Sequence, residues 1–288
     1  MRYAVSHRTS YQYASAVDLA DHIAYLRPRP FPGQRVDHVA LQIDPKPASR
    51  SGFVDHFGNA VDVFRIEAGH RVLTVNLQAE IEVELPLPPT ATPAWESVRN
   101  DLAAPFPLAV EASEFALPSP LIGVSETARA YATPSFPAGR PILDGALELT
   151  HRIRQDFTYA PGSTDVATPL ATVLEQRKGV CQDFAHVQIA ALRSLGLAAG
   201  YVSGYIRTHR RPGQADLRGA DATHAWIAVW CGAPAGWVHL DPTNGLVAHD
   251  EHIVLAWGRD FSDVSPLRGM ILGGGEHFYS VAVEVRPL

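Results

Sequence analysis

The sequence predicts an α+β fold: an N-terminal antiparallel β-sandwich-like domain, followed by a half in which helices pack on an antiparallel sheet. Three observations carry this. Residues 1 to about 85 alternate apolar and polar side chains with a period of two. Eleven of the 23 prolines then fall between Pro86 and Pro141, where fixed φ and missing N–H donors discourage long helices and central strands. Beyond Pro141 the apolar spacing turns helical before short β-rich runs return. At 288 residues the chain has room for two domains with real interiors. The expected division is 1–85 (β-rich), 86–140 (connector) and 141–288 (core with a C-terminal strand).

In the first region Val39, Leu41 and Ile43, then Val61, Val63 and Ile66, then Val72 to Leu77, then Ile81, Val83 and Leu85 read as short strands. Asp44-Pro45-Lys46-Pro47 and Gly58-Asn59 supply the turns between them. The connector has room for short helices around Trp95–Leu102 and Ser125–Ala132. Pro141 suits a first helical position, and Leu143, Ala146, Leu147, Thr150, Ile153 and Phe157 form one stripe, predicting a helix over 141–157. Thr168-Pro169 starts a second helix that ends near Gly179. A third begins at Cys181, buries Phe184, Val187, Ala191, Leu192 and Leu195, and stops at Gly196 in a left-handed cap. Ala199–Ile206, Ala225–Cys231 and Trp237–Asp241 follow as strands, the last two forming a hairpin through residues 232–236. Residues 278–286 alternate again and can join either sheet.

Composition narrows the function classes. Hydrophobic residues make up 46% and charged residues 19%, a globular balance and too apolar for disorder. A net charge of −6 leaves no basic footprint for nucleic acid, so no such partner is expected. No apolar leader and no run of ~20 apolar residues appears, which predicts a cytoplasmic chain without a membrane partner. Two cysteines build neither a disulfide framework nor a cysteine-rich zinc site.

Three side chains stand in an order that carries chemistry: Cys181 opening a helix, His224 entering a strand, and Asp241 leaving the next strand of a hairpin. Unpaired N–H groups at a helix start favour a thiolate, an imidazole can complete an ion pair with it, and a carboxylate can fix the ring's tautomer. Hairpin strands lie ~4.8 Å apart, so His224 and Asp241 meet if the register across the turn allows it. Taken singly, each residue has an ordinary reading: a small buried cysteine, a satisfied core histidine, an aspartate opening a turn before proline. Cys231, at a strand end beside a turn, is expected to be structural.

The text around these residues resembles the transglutaminase-like superfamily of cysteine enzymes, in its bacterial branch with a β-rich N-terminal region. Gly179-Val180-Cys181-Gln182-Asp183-Phe184-Ala185-His186, Thr223-His224-Ala225-Trp226 and His239-Leu240-Asp241-Pro242-Thr243-Asn244 are similar to the family's nucleophile, base and carboxylate blocks, in order. Tyr25-Leu26-Arg27-Pro28-Arg29-Pro30 and Asp55-His56-Phe57-Gly58-Asn59 resemble its N-terminal region, and residues 258–266 its C-terminal block. The resemblance implies a papain-like core and thioester chemistry on a peptide, isopeptide or γ-glutamyl-type amide, with a peptide or protein amide as partner and no cofactor.

It also implies that Tyr159 donates to the oxyanion, although a core aromatic is an equal reading. Gln182 either lines the site or shapes the first helical turn. Arg259, Asp260 and Asp263 form either a substrate rim or an internal salt-bridge network. Hydrolysis is the expected outcome; the alternatives are calcium-independent amine transfer and a non-catalytic binding module on the same fold. No metal is expected. His249 and His252 are spaced i, i+3, and His239 alternates with Asp241 along a strand, so a two-histidine carboxylate site can be drawn, but it takes Asp241 from the triad. The acidic residues Asp216, Asp221, Asp250 and Glu251 do not form a calcium loop. Papain-type proteolysis is disfavoured, since 43 residues separate Cys181 from His224 where ~130 are expected.

Overall fold

The first strand sets the architecture. β1 (Arg2–Ala24) runs 23 residues because neither proline nor glycine interrupts it, and Tyr3, Val5, Thr9, Tyr11, Tyr13 and Val17 suit a pleated, half-buried surface. β2 (Gln34–Asp44), β3 (Ser49–Val54), β4 (Ala60–Ile66) and β5 (His70–Val83) complete the N-terminal strands. The computed structural model describes residues 1–104, 109–208, 217–219 and 222–288; Asp216 and Asp221 lie outside them.

The connector carries α1 (Trp95–Leu102), α2 (Val110–Ser113) and α3 (Glu126–Ala132), the last capped by the Ser125 hydroxyl on the Ala128 N–H. After it come α4 (Ile142–Asp156), β6 (Thr158–Tyr159), α5 (Leu170–Gln176), β7 (Lys178–Gly179), α6 (Cys181–Arg193) and β8 (Ala199–Ile206). The hairpin β9 (His224–Trp230) and β10 (Trp237–Asp241) follows, then β11 (Leu246–Val247), β12 (His252–Gly258) and α7 (Phe261–Val264). β13 (Leu267–Gly273) and β14 (His277–Pro287) end the chain.

Seven strands, β1 to β5 with β13 and β14, belong to one antiparallel sheet. The antiparallel β region is as expected, but its strands share a single sheet because β1 is long enough to pair with four others. β5 and then β4 follow one edge of β1, while β14 and then β13 follow the other, so Val5 pairs with Ala79 and Val285 and His22 with Phe64 and Gly269. The alternating tail thus returns to the sheet where the chain began.

The second sheet, in the order β11-β10-β9-β8-β12, carries α6 on one face. Phe184, Val187, Ala191 and Leu192 share a core with Ala199, Ile227 and Val229. The second helix ends at Arg177, whose φ is +50°, two residues before the expected glycine. Gly179 serves another purpose: it pairs with Tyr159 in a short parallel ladder, and a Cβ there would lie 2.5 Å from an Asp183 carboxylate oxygen.

Two buried amides join the sheets. β12 is an edge strand of the core sheet, and its outer edge is met by side chains in place of a neighbouring strand. Gln34 donates to the Val254 carbonyl at 2.7 Å and accepts from the Val254 N–H at 2.8 Å. Asn59 does the same at Trp257, at 2.8 and 3.0 Å. A primary amide offers the donor and acceptor of a peptide group, so these residues continue the ladder where the backbone does not. Tyr205, Ile253 and Leu255 add an apolar contact with the N-terminal sheet. Among the described residues no helix is long and apolar enough to cross a membrane.

Removing Asn59 leaves the Trp257 N–H and C=O without these partners, and removing Gln34 strands the Val254 N–H while the Val254 carbonyl keeps the Arg29 N–H at 3.2 Å. Gln34→Leu and Asn59→Leu should each lower the unfolding free energy by about 2–4 kcal/mol in urea titrations. Arg65→Ala, which breaks an exposed, solvent-screened pair with Asp21, should lower it far less than either.

Candidate active site

Cys181 is the first residue of α6, and the preceding turn is held by its own side chains. The Asp183 carboxylate accepts from the Val180 N–H at 2.8 Å and from the Thr164 hydroxyl at 2.6 Å. It thereby satisfies one donor at the helix start and fixes the bend that presents the sulfur. Cys181 is half-buried, whereas Cys231 is sealed and burial pushes its thiol up to about 12.

The hairpin register explains how His224 reaches Asp241. Leu240 pairs with Ile227 and His239 with Ala228, so the two residues stand diagonally rather than directly opposite. The ring spans the offset, and its Nε2 donates to Asp241 Oδ2 at 2.9 Å. Trp226 stacks against the imidazole with centroids 6.0 Å apart. Both partners are fully buried.

Asp241 is saturated with donors. Oδ1 accepts from the Thr243 and Asn244 N–H groups at 2.8 and 3.1 Å. Oδ2 accepts from His224, from Asn244 Nδ2 at 2.8 Å and from His252 Nε2 at 3.1 Å. Burial opposes the charge on Asp241, but His224 and then His252 hold the carboxyl well below the usual carboxylate range. Burial likewise disfavours a charged His224; Asp241 first and Cys181 after it outweigh this, and the ring is pushed up to about 10. The ring is thus anchored to the carboxylate through Nε2, while its buried Nδ1 has no hydrogen-bond partner among the described residues.

The sulfur opens on a cleft of about 420 Å³ walled by both sheets. His7, Thr9 and Tyr11 come from β1, Tyr279 and Val281 from β14, and Gln182, Tyr201 and Ser203 from the core. Gln182 therefore lies on the cleft. Arg259 and Asp260 do not line it. Asp260 is fully buried, accepts from the Ser262 and Leu121 N–H groups, and caps α7, while Arg259 pairs with Asp263 at 3.0 Å. These residues form an internal network. Tyr159 lies beside Gly219: a Cβ on that glycine would sit 3.6 Å from the phenol oxygen and 2.8 Å from His224 Nδ1.

Gly219, at φ +82°, thus borders the imidazole and went unread in the sequence, as did Tyr201, whose phenol is raised by burial first and by Cys181 after it. His252 carried a signal only as a metal ligand. The drawn set is not assembled, because His249 bonds Asp250 and His239 accepts from Trp226. The histidines and carboxylate that do meet are His224, His252 and Asp241, with ligand atoms within 4.8 Å of one another. The Asn244 N–H donor on the same Oδ2 suits a hydrogen-bonded carboxylate there.

Residues 3–82 match the bacterial transglutaminase-like N-terminal region, and residues 129–242 match the transglutaminase-like superfamily core. Uncharacterized proteins of Mycobacterium bovis and Mycobacterium tuberculosis are each 42% identical over 295 residues, covering 99% of this chain and 93% of the relative. The chain belongs to the transglutaminase-like superfamily. An uncharacterized protein of Mycobacterium leprae is 31% identical over 288 residues, covering 100% of this chain and 99% of its own length. The superfamily fold is also seen in the crystal structure of a candidate cysteine protease from Cytophaga hutchinsonii, at a TM-score of 0.75 and 20% identity over 99% of this chain and 90% of that one. The superfamily is one of thiol-dependent enzymes, which is the coarse function of this chain.

The raised His224 has a consequence for stability. A ring that titrates near 10 when folded and near 6.5 when unfolded stabilises the fold fully below pH 6.5, and that contribution fades as pH climbs to 10. The gap in unfolding free energy between wild type and Asp241→Asn should therefore narrow from pH 6.5 to 10, as read by urea titration. Iodoacetamide at pH 7 should label Cys181 and leave Cys231 unmodified in the folded protein, as read by peptide mass spectrometry.

Proposed function

We propose that the protein is a thiol-dependent amide hydrolase acting through Cys181, His224 and Asp241. The observation that carries this reading is the His224 ring, hydrogen-bonded to the buried Asp241 and lining the same cleft as Cys181 at the first turn of α6. In the reaction the Cys181 sulfur, as thiolate, bonds to the amide carbon, and the carbonyl electrons move onto oxygen. The Cys181 backbone N–H, with the Tyr159 hydroxyl as a second candidate donor, meets that oxyanion. His224 passes its proton to the nitrogen, the C–N bond breaks, and an amine leaves behind a thioester. Water then loses a proton to His224 and attacks the thioester, releasing a carboxylic acid and restoring the thiolate with its imidazolium.

Asp241 stays ionised throughout and holds the ring in one orientation. Half-exposure of Cys181 favours water as the acceptor. The substrate is a peptide or protein amide, and the N-terminal sheet together with β14 serves as one wall of its cleft.

With a glutamine-containing peptide substrate, Cys181→Ala should lower turnover by at least ~10³-fold, and adding His224→Ala and Asp241→Asn should scarcely lower it further. Ammonia or amine release should be the same with calcium and with a chelator. Calcium-dependent amine incorporation that outruns hydrolysis would assign the protein to amine transfer instead. A reactive Cys181 that never carries an acyl adduct by mass spectrometry would favour the binding-module reading.

A further inference from the structure

The proline-rich connector walls a second cavity, of about 630 Å³, at the hairpin end of the core sheet. Pro86, Pro88 and Pro93 form one side, and Phe31, Trp237 and Trp257 the other. Every residue lining it is uncharged. One ring nitrogen of a histidine in its lining has no partner among the described residues. His239, 8% exposed, opens into it, and its ring lies parallel to Phe31 within 2°.

The tautomer of His239 follows from its partner. The Trp226 indole N–H, which can only donate, lies 3.0 Å from His239 Nδ1. Nδ1 is therefore the acceptor, and the proton of the neutral ring sits on Nε2. Burial, with a smaller push from His252, lowers this histidine to about 4, so the ring is neutral at pH 7. Among the described residues nothing accepts from Nε2. The cavity thus presents one oriented imidazole N–H on a largely apolar surface, whose other side-chain polar groups are the Thr92 hydroxyl, which accepts from the Leu143 N–H, and the Trp237 indole.

We propose that this cavity is a binding site for an uncharged, apolar small molecule bearing one hydrogen-bond acceptor, such as a carbonyl oxygen, which accepts from His239 Nε2. The volume is that of a small-molecule pocket, and the arrangement, an apolar body with one fixed polar contact, is how such pockets orient a ligand. Fixed proline backbones preform the wall at little entropic cost on binding. A charged ligand is disfavoured because nothing in the lining would balance it. The site is separate from Cys181, and the inference stands whether or not the amide hydrolase reading does.

Acetophenone and ethylbenzene have nearly the same shape and differ at the carbonyl, so the pair tests both the cavity and the donor. Each is titrated into the full-length protein, followed by ligand-observed NMR and by the ¹⁵N-labelled imidazole signals. Acetophenone should bind at least tenfold more tightly than ethylbenzene and shift the His239 Nε2–H resonance. His239→Phe should abolish the preference, and Ala91→Trp, a substitution at the exposed mouth, should abolish binding of both. If His239→Phe does not fold, the Ala91→Trp result and the resonance shift still decide. Absence of binding, equal binding of the two probes to wild type, or unchanged binding to Ala91→Trp would each overturn the proposal.

Discussion

A single buried carboxylate organises the catalytic half of this protein. Isolated in an apolar interior, a charged Asp241 would be prohibitively unfavourable, so its presence at zero exposure demands the ring of donors around it. Those donors come from three places in the chain: the turn after β10, the start of β9 and the start of β12. Asn244 extends the reach by accepting from the Arg218 N–H at 2.8 Å, which ties in the short stretch that carries Gly219. The orientation of His224 is thus set by the solvation needs of its partner, not by packing alone. Charge and geometry are one constraint here, because moving any donor would both loosen the ring and strand the carboxylate.

That economy also explains why the placement of Cys181, His224 and Asp241 at element ends could be read from the sequence while their surroundings could not. Cys181, His224 and Asp241 sit in local patterns: a helix start, a strand entry, a strand exit before proline. α1 and α4 announce themselves through apolar spacing and proline placement. His252, by contrast, is brought to Asp241 by strand order, since β12 pairs with β8 and not with the hairpin beside it in sequence. Gly219 shows nothing locally; its missing side chain matters only because an imidazole from another element lies against it. The extent of β1 was hidden for a related reason. Polar residues such as Ser6, Arg8, Ser10 and Gln12 alternate outward, yet only the partner strands reveal that Arg2 to Ala24 is a single ladder.

Blocks of sequence that resembled functional motifs divide into two kinds. Residues 179–186 and 239–244 build the site itself. Residues 55–59 and 258–266 hold the molecule together: Asn59 completes the edge of β12, Arg29 lies 3.9 Å over the Trp257 ring and donates to Asn59, and Asp260 caps a helix turn while receiving the Leu121 N–H. Their distinctive composition reflects the demands of buried polar joints, which need particular donors and acceptors much as a catalytic site does. From text alone the two are indistinguishable; burial and partner lists separate them.

The return of β14 to β1 imposes an order of events on synthesis. While the polypeptide emerges, β1 can pair with β5 and β4 within its first hundred residues, but its other edge waits for partners more than 240 residues downstream. Until then a long strand edge is open, the kind of surface on which nascent chains stick to one another. The same delay withholds Tyr279 and Val281 from the cleft, so the sulfur acquires its complete surroundings only after nearly all of the protein has been made. The cysteine at the start of α6 is thereby left without a finished cleft wall during the period when the ribosome and other unfolded chains are closest.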